Sequence, residues 1–161
     1  MKNFLKRFTL LVAFCIMTVL AGYAQETSQV GKLVNEVTKK YENTNGVECI
    51  SVAKGSGLEM FKMAFKKKLG KDFMKGVTGM TIIDYSNASQ EVCQSLRKDL
   101  DEFLTLLQEF NIGKEKEFAD NDYVRSFASV TDTGMLSDFV IALENKETKT
   151  IIYMAGEIKV D

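Results

Sequence analysis

A chain of 161 residues that is 45% apolar and holds eleven Phe is long enough for one packed core and too apolar to stay disordered. Its formal charge of −1 becomes −4 once Lys2, Lys6 and Arg7 of the N-terminal segment are set aside, a mild acidity that argues against a nucleic-acid binder, which carries a basic footprint. With no His, the commonest metal ligand and the side chain that titrates near neutrality are both missing, so catalysis would have to rest on Ser/Lys, Cys or carboxylate chemistry.

Lys2, Lys6 and Arg7 precede an apolar run over 8–20, and Gly22-Tyr23-Ala24 sets small side chains at the two positions a signal peptidase reads. The run is shorter than the ~20 residues a spanning helix needs. Residues 1–24 therefore read as a cleaved leader, with the junction between Ala24 and Gln25, and no transmembrane span is expected after processing. Cys15 lies in mid-run behind Phe14, which does not make a lipobox, so the product is expected to be periplasmic or secreted and not a lipoprotein. Without the three basic residues of the leader, 18 basic residues face 22 acidic ones.

Residues 25–161 read as a single α+β domain. Thr27 or Ser28 can cap a first helix, whose apolar positions Val30, Leu33, Val34, Val37 and Tyr41 share one face until Asn43-Thr44-Asn45-Gly46 stops it. A short strand over 47–52 follows. Gly55-Ser56-Gly57 reads as a flexible turn into a helix over 58–69, with Leu58, Phe61, Phe65 and Leu69 inward. A loop through Gly70 and Gly76 leads to a strand over 80–85. Asn87 with Gln90 has the form of a capping box for a long helix with the stripe Val92, Leu96, Leu100, Phe103, Leu104 and Leu107, closed by Asn111 and Gly113. A charged connection over 114–122 follows.

The last third, 124–160, reads as three strands in an antiparallel meander, with turns at Asp132-Thr133-Gly134 and over 145–149. Phe139, Ile141 and Leu143 fall on one face, as do Ile152, Met154 and Ile158 with Gly156 among them. Tyr153, Glu157 and Lys159 fall on the other face, which is expected to be wet. The order is α-β-α-β-α-β-β-β. The early strands, each followed by a helix, are compatible with parallel crossovers, so the expected sheet is mixed, with helices packed mainly on one face.

Ile50-Ser51-Val52 leading to Leu58-Glu59-Met60-Phe61, Ile82-Ile83-Asp84-Tyr85, and Ile152-Tyr153-Met154-Ala155-Gly156-Glu157-Ile158 carry a resemblance. With the leader, they resemble a family of short exported Bacteroidetes-type proteins classed as a domain of unknown function. These are packing motifs, and the resemblance implies no catalytic residue or cofactor.

Few residues suggest chemistry. Gly55-Ser56-Gly57 lies where a phosphate cradle would, but Met60 stands at the third glycine of the dinucleotide pattern. Ser51-Val52-Ala53-Lys54 and Ser95-Leu96-Arg97-Lys98 match the S-x-x-K form, a pattern this composition produces by chance. Cys49 and Cys93 are the two mature cysteines and a candidate disulfide, which export permits; Cys93 equally suits a buried free thiol on the apolar stripe. Lys62, Lys66, Lys67, Lys68, Lys71 and Lys75 form the one dense charge cluster, interleaved with Phe61, Met63, Phe65, Phe73 and Met74. That is either a solvated face over a buried aromatic one or a surface for an anionic partner.

The expected function is therefore a non-enzymatic envelope protein that binds another macromolecule, with a role in envelope sensing, and without a cofactor or metal. Its partner is an envelope protein or an anionic surface. Two other readings stay open: a lipid- or anionic-glycan-binding module using the basic second helix, and a hydrolase with an unrecognised site.

Overall fold

In the computed structural model, which describes residues 28–53, 55–109 and 123–159, Ser28 caps the first helix. The leader with its Ala24/Gln25 junction, Thr27, Lys54, the stop at Asn111 and Gly113, the 114–122 connection and Val160 lie outside those residues. Helix α1 (Gln29–Tyr41) buries Val30, Val34, Val37 and Tyr41, the stripe its spacing dictates, and Ser28 Oγ accepts from the Gly31 amide at 2.9 Å. Strand β1 (Glu48–Ala53), helix α2 (Gly55–Leu69), helix α3 (Lys71–Lys75), strand β2 (Val77–Asp84) and helix α4 (Gln90–Leu104) follow. The two-residue strand β3 (Gln108–Glu109) and the meander β4 (Tyr123–Val130), β5 (Leu136–Glu144) and β6 (Lys149–Gly156) complete the order.

The class is α+β, and the C-terminal meander forms as expected. Two finer expectations are corrected. The sheet, in the order β1-β2-β6-β5-β4-β3, is antiparallel at every pairing and not mixed. The reason lies between Gly70 and Gly76: Gly70, at φ 97, opens the unexpected α3, and the chain re-enters the sheet at the end where β1 finished, with Gly79 opposite Ala53.

The helices also cover both faces. β2, β5 and β6 carry apolar side chains on both sides, as in Ile82 and Ile83 or Ile151 and Ile152, and neither side can be left in water. Leu58, Phe61, Phe65 and Phe73 of α2 and α3 pack with Met80, Ile82, Phe139, Ile152 and Met154 on one face. Phe73 meets Phe139 edge-on, centroids 5.0 Å apart. Val34, Val37, Leu96 and Phe103 of α1 and α4 pack with Ile83, Val140, Ile151 and Tyr153 on the other. Tyr153, expected on a wet face, is consequently buried, while Glu157 and Lys159 are exposed because they follow the end of β6.

Local corrections have local causes. The cap of α4 is Ser89, whose Oγ accepts from the Val92 amide at 3.3 Å, and not Asn87. Gly55-Ser56-Gly57 forms the first turn of α2, with only Gly55 left-handed at φ 80. The alternation of β5 breaks at Asp138, a non-glycine residue at φ 50. Phe127 pairs with Val140 but Ser129 with Ser137, so β5 holds one residue more than β4 there, and Leu136 joins the α2 face.

Candidate functional site

The outer surface of α2 and α3 gathers the lysine cluster. Phe61, Phe65, Leu69 and Phe73 face the sheet, so the helical spacing leaves Met63, Lys66, Lys67 and Lys71 on the solvent side. Lys66, Lys67, Lys71 and Lys75 are exposed, and among the described residues none of the four forms an ion pair. Lys62 is half-buried and reaches Glu59 at 3.3 Å, one turn back. Lys68 lies within α2, with its side chain outside the described part. Met63 is 66% exposed and Met60 41%, so flexible thioether side chains stand among the cations. The sequence already groups these lysines; the exposure of the two methionines is what the structure adds.

A second feature has the opposite sign. An open groove of about 910 Å³ lies at one end of the sheet, between the turns that join α1 to β1, β2 to α4 and β5 to β6. Glu42, Glu48, Asp84 and Glu147 line it together with Asn45 and Asn87. Asp84 has structural work there: its two oxygens accept from the Ser86 amide at 2.9 Å and from Thr150 Oγ1 at 3.2 Å. Among the described residues no three His, Cys, Asp or Glu side chains gather as a metal site.

The third feature joins residues far apart in sequence. Asp138 is buried and accepts from Tyr153 OH at 2.7 Å and from Ser28 Oγ at 2.5 Å. Burial, reinforced by the Asp138 carboxylate, pushes the Tyr153 phenol well above its ordinary value. On the same side of the sheet, Tyr41 OH donates to Asp99 at 2.7 Å and Lys40 Nζ donates to it at 2.6 Å. Burial pulls the Asp99 carboxyl up, but those two donors outweigh it and hold the group below its usual range. Sequence alone could not find the Asp138 link, since Ser28 and Tyr153 stand on separate elements and no local motif joins them.

The remaining sequence candidates disperse. Ser51 hydrogen-bonds Thr81 across the β1–β2 pair at 2.9 Å, and Ser95 meets Tyr41 OH at 2.8 Å, so each S-x-x-K serine has a structural partner. Cys49 and Cys93 are free thiols. Burial, with a smaller contribution from Glu42, raises the Cys49 thiol to about 11. Cys93 is buried on the α4 stripe, its Sγ accepting from Lys149 Nζ at 3.4 Å. No described helix is long and apolar enough to cross a membrane. Comparison of the chain with models of known families, with curated proteins and with solved structures finds no match in any of the three.

Proposed function

We propose that this protein is a non-enzymatic binding module of the cell envelope that engages an acidic macromolecular partner through the outer face of α2 and α3. The supporting observation is the coincidence, on α2 and α3, of four exposed lysines that form no ion pair among the described residues with an exposed Met63. Lysines spaced one to four residues apart along neighbouring helices act on an acidic partner as a set, and methionine adapts to varied apolar shapes. The leader and the family resemblance support an envelope setting, and envelope sensing is the role this reading favours. Binding of the mature protein to immobilised polyglutamate should weaken steeply with salt and be lost in Lys66→Glu/Lys67→Glu. Undiminished binding by that variant would defeat the reading.

The exposure of Met63 favours a second reading, an anionic lipid surface, because an apolar side chain among cations can enter the headgroup boundary. Cosedimentation with phosphatidylglycerol vesicles that is lost in Met63→Ser but unaffected by polyglutamate would select it.

A further inference from the structure

The two edges of the sheet differ. At one edge β3 is two residues long, and its Glu109 accepts from Arg125 Nε at 2.9 Å and Nη2 at 3.1 Å, so that edge is short and charged. At the other edge β1 forms six regular rungs with β2, from Glu48 opposite Asp84 to Ala53 opposite Gly79, with no bulge. From Cys49 to Ala53 it contains no charge, Pro or bulge to keep the edge from pairing, and among the described residues it pairs with β2 alone. Its outward backbone groups are a template for another strand.

We propose that β1 pairs antiparallel with β1 of a second copy about a two-fold axis at Ser51, joining two six-stranded sheets into one. In this register Ile50 stands opposite Val52 of the second copy, on the α2 face, and the two Ser51 side chains meet on the other face. Charge selects the direction. The strand begins with Glu48 and the sequence continues after Ala53 with Lys54, so antiparallel pairing brings unlike ends together and parallel pairing like ends. The interface is isologous and closes at two copies.

Such an axis stands perpendicular to the sheet and keeps the α2 faces of both copies on the same side. Helix α2 lies over β1 and β2. With strands about 4.8 Å apart, the two α2 helices come to about 10 Å, a normal helix-packing distance. The lysine surfaces then adjoin, although the pairing itself does not depend on what they bind.

Light scattering on the full mature chain over a concentration series tests the proposal. A dimer is expected, with a dissociation constant raised about tenfold or more by Ser51→Lys, which sets like charges at the axis. In a Cys49→Ser/Cys93→Ser background, Ser51→Cys should form a covalent dimer on oxidation, and the outward β1 amides should gain exchange protection as concentration rises. A monomer at every concentration with fast-exchanging β1 amides would overturn the proposal. So would a dimer that survives Ser51→Lys and dissociates with Lys66→Glu/Lys67→Glu, or failure of the Ser51→Cys crosslink.

Discussion

Tyr153 donates its phenolic proton to Asp138 at 2.7 Å across the β5–β6 pair, beneath the start of α1. Ser28 donates to the same carboxylate, so the cap of α1 and the bulge of β5 share one acceptor. Tyr153→Phe should cost about 1–3 kcal/mol in urea unfolding, because it leaves a buried carboxylate short of a donor. Ser28→Ala should cost about 1–2 kcal/mol, since it removes the helix cap as well as that donor. The double variant should depart from additivity; two independent losses would show that the residues do not act through Asp138.

Alkaline stability follows from the same burial. The Tyr153 and Tyr85 phenols are raised above 10.0 chiefly by burial, which Arg97 opposes at Tyr85, and the Cys49 thiol is raised from 9.0 to about 11. In each case the folded state holds a proton that the unfolded chain releases at lower pH. The contribution is therefore complete below pH 9 and lost above it, first through Cys49 and then, above pH 10, through the tyrosines. Urea midpoints between pH 8 and 11 should fall, and Tyr153→Phe should flatten the upper part of the curve. A midpoint flat to pH 11 would contradict the assignment.

Gly156 is at φ 137, and a Cβ there would lie 2.1 Å from the carbonyl oxygen of Gly76. Gly156→Val should destabilise by about 3 kcal/mol or more, because backbone and not a movable side chain must give way. Gly134→Ala is the control: it also has positive φ, at 76, but a Cβ there meets nothing within 4 Å, so about 1 kcal/mol is expected. Equal costs at the two sites would mean that conformation alone, and not the approach of Gly76, sets the penalty.

Protein recovered from the envelope should have an intact mass that begins at Gln25 and carries no acyl group, because Gly22 and Ala24 satisfy the peptidase-facing positions. A mass that includes residues 1–24 would refute processing.

Both cysteines should titrate as thiols in the unfolded protein, and Cys93 should alkylate only on unfolding, since it is buried against the Tyr85 and Ala88 carbonyls. A missing pair of thiols in the oxidised protein would instead restore the Cys49–Cys93 disulfide.

The helical stripes were legible because spacing alone aligns Val30, Val34 and Val37, or Leu96, Leu100 and Phe103. The meander was legible from alternation and turn residues. What lay beyond the sequence depended on partners far along the chain. Tyr153 alternates with Met154 as a wet-face residue would, and only the return of α1 and α4 over that side buries it. The five-residue α3 and two-residue β3 are too short to show a period. Of the candidate site, the lysines were visible as a cluster, but the exposure of Met60 and Met63 was not, since their neighbours Phe61 and Phe65 are equally apolar and buried.

The sheet separates two layers of helices, each with its own apolar packing. Their side chains are therefore joined through strands on which neighbours point to opposite faces, as Ile152, Tyr153 and Met154 do on β6. A load applied to α2 then crosses that partition through the strands, as backbone displacement. The α1–α4 layer could then loosen while the α2 layer keeps its order, and exchange protection would be lost in two steps, with the strands between them opening last.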